Sequence, residues 1–338
     1  MPTPPETTVA ATARPLHVAL LLVVAFASGV GVALQSRING ELGQKLGDGF
    51  FAAVISFGSG LVILAIAILF WRPGRRGAGR VVAALRARRI PRWYLFGGAA
   101  GAFFVLSQSL VVGLVGVALF TVGVVAGQTT GSLLIDRRGL GSMAAKPITW
   151  RRLVGAVVAL LAVVLAASSE VRGDLPFWVL LVPFLAGLGI GWQGAVNGQV
   201  REIAGSALTA TFVNFLVGAA LLLVAAVIHT ALVGWPHHLP ANPWLYLGGL
   251  VGIAFIAVQT MIVRVTGVLL MGLAVLSGQL VTAVAFDLLA PVQAHPLAPL
   301  TMVGAAMTLV AVAIAAVPRR TGRQAPSGAK PSDNEFMQ

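Results

Sequence analysis

Cysteine is absent from the 338 residues, and only 10% of them are charged. The first absence excludes disulfides and thiolate metal or redox chemistry. The second excludes a soluble surface, for which about 25% charged residues is usual. Acid is scarcer than base: 10 Asp and Glu stand against 23 Lys and Arg, a net charge of +13. In a soluble chain that excess would suggest nucleic acid. Here the basic residues fall between apolar blocks, and no nucleic-acid partner is expected. Catalytic signatures are missing as well: no Walker A, HExxH, GxSxG or dinucleotide fingerprint is present. Of the histidines, His237 and His238 adjoin in a loop, and no second cluster accompanies them. Neither a metal, a cofactor nor an enzymatic activity is expected.

What is abundant is apolar sequence. Hydrophobic residues make up 58%, with a mean hydropathy of +0.93. A membrane-crossing helix takes about 20 mostly apolar residues. Ten such segments can be placed, at 16–35, 50–71, 93–113, 115–135, 153–169, 176–194, 207–233, 244–263, 267–289 and 299–317. Strands are excluded, because a sheet edge cannot sit in lipid. The first block has no positive flank or cleavage site, so it reads as a membrane helix rather than a signal peptide. The tightest joins lie at 113–116 and 264–267. With ten crossings, 20 of the basic residues collect on one face, and only Arg37, Lys45 and Arg172 fall on the other. The split predicts that both termini are cytoplasmic. The basic run 72–92 reads as part of that signal, with a head-group site for anionic lipid as the alternative.

The two halves resemble each other. At an offset of 158, Gly29, Gln35, Asn39, Gly40 and Phe57 match Gly187, Gln193, Asn197, Gly198 and Phe215. At an offset of 151, Trp93, Phe104, Gln108, Gln128 and Asp136 match Trp244, Phe255, Gln259, Gln279 and Asp287. Gln, Asn, Trp and Asp are scarce here, so their coincidence is hard to obtain by chance. Each half holds five helices, an odd number, so the second enters the membrane the other way up. The expected fold is an all-α integral membrane protein of about ten transmembrane helices in two inverted five-helix repeats. An N-terminal tail covers 1–15, the repeats 16–169 and 170–317, and a disordered cytoplasmic tail 318–338.

A spacing of four puts Gln35 and Asn39 on one helix face, and likewise Gln193 and Asn197. An amide at membrane depth must find a partner, so it points inward. Two readings stay open: hydrogen bonds that hold the helices together, and substrate recognition in a central cavity. Gln108, Gln128, Gln259, Gln279, Ser56 and Asn214 join the candidates, the last two being repeat equivalents. Trp192 either stacks on a planar or cationic substrate or simply packs. No carboxylate lies in the middle of an apolar segment. Of the acids near helix ends, Glu41 and Asp287 are the better candidates for ion coupling. Arg37, four residues before Glu41, is placed to pair with it.

The pattern Gln35-Ser-Arg-Ile-Asn39-Gly40-Glu-Leu42, followed by Ser56-Phe57-Gly-Ser-Gly60, resembles the YdcZ-like branch of the drug/metabolite transporter superfamily. A second copy runs from Gln193 to Val200 and from Asn214 to Gly218. The resemblance spans about 16–317. It implies a multi-pass transporter of the bacterial inner membrane, often an exporter, in fused ten-helix form. It leaves the substrate open. Related small multidrug resistance proteins use a Glu in their first helix for proton coupling, and this chain has no acid there. The expectation is a secondary-active exporter of a small organic solute, embedded in the lipid bilayer as a monomer or homodimer. The alternatives are a flippase for a lipid-linked substrate and a non-transporting structural subunit.

Overall fold

The structure, a computed structural model, describes residues 15–139, 149–168, 178–236, 238–291 and 298–316. The tail 318–338 and all but Pro15 of the tail 1–15 lie outside the described residues. Every regular element among those described is helical. In chain order these are α1 (Pro15–Leu46), α2 (Gly49–Phe70), α3 (Arg72–Arg86), α4 (Gly97–Arg138), α5 (Trp150–Ser168), α6 (Trp178–Ala204), α7 (Ala207–Val233), α8 (Gly248–Leu289) and α9 (Pro299–Ala316). Short 3-10 turns, Arg92–Phe96 and Pro243–Tyr246, lead into α4 and α8.

Matching sequence makes matching turns. Gly47 and Gly205 both take positive φ, 66° and 57°, a region that only glycine enters freely. The next residue then caps a helix. Asp48 accepts from the Phe51 N–H at 3.0 Å, and Ser206 accepts from the Thr209 N–H at 3.2 Å. Each cap satisfies a backbone donor that the first turn leaves free.

α4 and α8 have 42 residues each. A straight helix of that length would run about 63 Å, twice the hydrocarbon thickness of about 30 Å. Both fold back instead. Gly116, at φ 83° and ψ 170°, breaks α4. Ala100 and the Val124 carbonyl then meet the same turn of α6, at Gly189 and Gly187. In α8, the Phe255 carbonyl accepts from Ser28 Oγ at 3.3 Å, while the Val275 carbonyl lies against Gly29. Those two carbonyls would be about 30 Å apart on a straight helix. Two arms each in α4 and α8 bring the long apolar segments among the described residues to ten, and the expected join at 113–116 sits at the Gly116 break. By length and composition alone, six stretches of the described residues qualify as membrane spans, including the 44-residue Arg92–Ile135; Pro299–Ala315 is a shorter apolar helix.

The halves interlock. α1 lies along α8 and α6 along α4, while α2 faces α7 and α5 faces α9. Individual contacts come in matched pairs. Gly29 meets the Val275 carbonyl as Gly187 meets that of Val124, and Gly249 meets the Ser56 carbonyl as Gly98 meets that of Asn214. A Cβ at any of these four would strike backbone, so glycine is what lets the helices touch. Close backbone approach substitutes for the hydrophobic drive that lipid does not supply. Phe57 and Phe215 stack on each other at 4.6 Å and 23°.

The run 72–92, read from sequence as a topology signal, contains a helix. Pro73 fits its first turn. Gly74, Gly77 and Val81 share its buried face, and the arginines take the rest. Thr209 Oγ1 donates to the Gly74 carbonyl at 2.9 Å, and Arg80 Nε donates to the Ala204 carbonyl at 2.9 Å. α3 is thereby strapped across the α6–α7 turn, and its arginine satisfies an end carbonyl of α6.

Candidate functional site

A cavity of about 240 Å³ lies between the halves, lined from α1, α2, α4, α6, α7 and α8. Six of the amides singled out from sequence reach it: Gln35, Gln128, Gln193, Asn197, Asn214 and Gln279. Phe57, Phe104, Phe215 and Phe255 line it as well, with aliphatic side chains and glycines between them. No ionisable residue is among those lining it.

Three amides of the first half, Gln35, Asn39 and Gln108, are bonded within the protein. Asn39 Nδ2 donates to Gln108 Oε1 at 2.7 Å, Gln108 Nε2 donates to Ser36 Oγ at 2.8 Å, and Ser36 donates onward to the Val32 carbonyl at 3.0 Å. Gln35 Nε2 donates to the Gly248 carbonyl at 2.9 Å. Asn39, Ser36 and Gln108 are fully buried and stand behind the cavity wall rather than on it. Ser56 is buried beside them; its Oγ and Asn39 Oδ1 have no partner among the described residues.

The second half's amides make another pattern. Gln193 Nε2 and Asn197 Nδ2 both donate to Asn214 Oδ1, at 2.9 and 3.1 Å. Gln193 and Asn197 are half-buried. Gln259 belongs to α8, but its side chain lies outside the described residues. Trp192 does not reach the cavity. It stacks on Trp93 at 6.4 Å and packs with the cluster of Val81, Tyr94 and Val196.

The two acids have other partners. Asp287 accepts from the Val117 and Ala118 N–H groups at 3.0 and 2.7 Å, capping the second arm of α4 just past the Gly116 break. Arg37 donates to the nearby Ala290 carbonyl. Glu41 pairs with Lys45 at 2.7 Å and sits 3.9 Å from Arg37. Neither acid lines the cavity. The phenylalanines were overlooked as site residues, although Phe57 with Phe215 and Phe104 with Phe255 are repeat matches. Their signal lay in the repeat, not in chemistry.

An all-helical bundle with a polar cavity walled by both halves defines a class of multi-pass membrane protein. The chain belongs to the family described as "Putative inner membrane exporter, YdcZ", whose model matches residues 20–165 and 178–314. It is thus a multi-pass inner-membrane protein of a transport family. Inner membrane protein YdcZ of Escherichia coli (strain K12) is 27% identical over 121 residues, which are 36% of this chain and 77% of that protein. A solved chain titled only "Crystal structure of protein" aligns with 19% identity and a TM-score of 0.48, covering 89% of this chain and 97% of that one. That likeness is too loose to carry the fold, which stands on the contacts above.

Proposed function

We propose that the protein is a secondary-active exporter of a small organic solute, working by alternating access between two inverted repeats. The observation that carries this reading is the unequal state of two matched amide sets around one cavity. Asn39 is locked to Gln108 at the Arg37 end, while its counterpart Asn197 is half-buried at the Arg80 end. Matched contacts between the halves support a pseudo-two-fold axis. Such an axis makes a second conformation available in which the roles exchange. In that state Asn197 would bond Gln259, and the Arg37 end would part. The Lys and Arg split supports assigning the Arg80 end to the cytoplasm, so the form described here would be closed to the outside.

The chain's lack of cysteine makes the test clean. Asn214→Cys is placed in vesicles and probed with a membrane-impermeant thiol reagent from each side. Labelling from both sides is expected. Adding Asn39→Cys with Gln108→Cys and oxidising them should confine labelling to the cytoplasmic side. Labelling from one side only, in the unlocked protein, would remove alternating access. Gln35→Ala combined with Gln193→Ala should abolish movement of a bound solute in liposomes.

One observation favours a second reading, a flippase. A side cavity of about 230 Å³ between α4, α5, α8 and α9, with Arg152 among its lining, shares Gln128 and Leu276 with the central one. An acyl chain could rest there with its polar head inside. Leu276→Trp, which closes this route, should stop a flippase and spare export of a soluble solute.

A further inference from the structure

Four glutamines face the cavity as two repeat pairs, Gln35 with Gln193 and Gln128 with Gln279. A carboxamide offers an acceptor oxygen and two N–H donors and carries no charge. Some of this capacity is spent within the protein: Gln193 and Asn197 both bond the Asn214 oxygen. The Asn214 N–H groups and the oxygens of Gln193 and Asn197 make none of these bonds. Gln279 is 3% exposed, and its Nε2 finds no partner among the described residues. A buried donor without an acceptor is destabilising; as it stands Gln279 Nε2 is shut off from the cavity space, so a turn of the side chain that brings it to an occupant's oxygen is favoured.

Among the described residues that line the central cavity, none carries a charge. An ion entering this space would leave its hydration shell and meet no counter-charge. Trp is the best ring for holding an organic cation, whereas the rings here are all Phe. The Phe57–Phe215 stack offers a flat apolar wall. At about 240 Å³, the space is smaller than the roughly 300–1,000 Å³ of sites for drug-sized ligands.

Building on the transporter reading above, we propose that the solute is a small, flat, uncharged molecule with hydrogen-bond donors and acceptors side by side. Ureides, lactams and primary carboxamides are this class, and permanent ions of either sign are rejected.

Purified full-length protein in nanodiscs is titrated with uracil, hydantoin and nicotinamide as neutral probes. Orotate and N,N′-dimethyluracil are the charged and donor-free counterparts of uracil, and tetramethylammonium is the cation. Thermal shift and calorimetry should show binding by at least one neutral probe. The methylated or carboxylated counterpart should bind at least about tenfold more weakly, the scale of one or two lost hydrogen bonds. Gln279→Glu should weaken the neutral probe by a similar factor and admit the cation, while Gln279→Met, of similar volume, checks that the fold survives. Silence from every neutral probe, or binding that survives methylation, overturns the assignment. So does a Gln279→Glu variant that folds and binds the neutral probe unchanged. Liposome flux separates the two ideas. A charged probe that binds and is carried across removes the neutral class and leaves transport standing. A neutral probe that binds the cavity and is never carried keeps the class and removes transport.

Discussion

Gln35 and Gln193 occupy matching places in the two halves and make different bonds. Gln35 reaches a backbone carbonyl across the interface, whereas Gln193 bonds a side chain from its own half. The partner position explains part of this. Asn214 holds its oxygen out far enough to take both Gln193 and Asn197. Its equivalent Ser56 is too short to do so, and Gln35 and Asn39 turn to Gly248 and Gln108. Near-identical polar sequence therefore gives a locked Asn39–Gln108–Ser36 chain behind the wall in one half, and Gln193 and Asn197 on the cavity in the other. The two readings left open for the amides, helix bonding and recognition, divide most clearly between Asn39, locked behind the wall, and its counterpart Asn197, which lines the cavity.

The likeness and the difference can each be attacked, and the largest effect belongs to the likeness. Gly29→Val and Gly187→Val both drive a side chain into backbone on the facing helix. Each should cost roughly 3 kcal/mol, read as lost thermal stability in nanodiscs. A large cost at one site alone would break the equivalence of the halves.

The difference predicts a split of phenotypes next. Gln108→Leu leaves Asn39 and Ser36 buried without their partner and should destabilise by about 1–3 kcal/mol. Asn214→Ala removes a cavity amide whose neighbours are half-buried. The two donors it strands line the cavity and can bond water there, so it should cost less than Gln108→Leu, about 1 kcal/mol, and eliminate solute binding in calorimetry. Equal stability losses would show that the two sets do the same job.

Asp287→Ala strips the cap from the second arm of α4 and should cost about 1–2 kcal/mol. Asp287→Asn keeps an acceptor and should cost less, a ranking that thermal melts can check. The smallest effect is at the surface. Lys45→Ala breaks an exposed pair with Glu41 on α1 and should change stability by no more than about 0.5 kcal/mol.

Much of the architecture was legible before any coordinates. Apolar length is a local property, and counting it located ten crossings, even where α4 and α8 run through their bends as single helices. Scarce residue types made the repeat visible, and Gln35, Gln193, Gln128 and Gln279 followed from it. The α3 helix was hidden because its buried face is mostly glycine, which carries no hydropathy signal, while its arginines looked like a loop. Asp287 resisted for a different reason. Its partners are N–H groups about 170 residues away in the chain, and no spacing rule reaches that far.

By itself, then, the sequence determined what short-range chemistry determines. It specified a membrane protein, its number of crossings, its two matched halves and the uncharged polar residues they share. Tertiary structure alone decided which amides are spent on one another and which face the cavity. It also decided that Trp192 packs away from the site, and that Asp287 serves a helix end. Those outcomes depend on how closely helices from opposite halves approach. That distance is set by glycine contacts between segments far apart in the chain, and it decides whether a given amide meets a protein partner or open space.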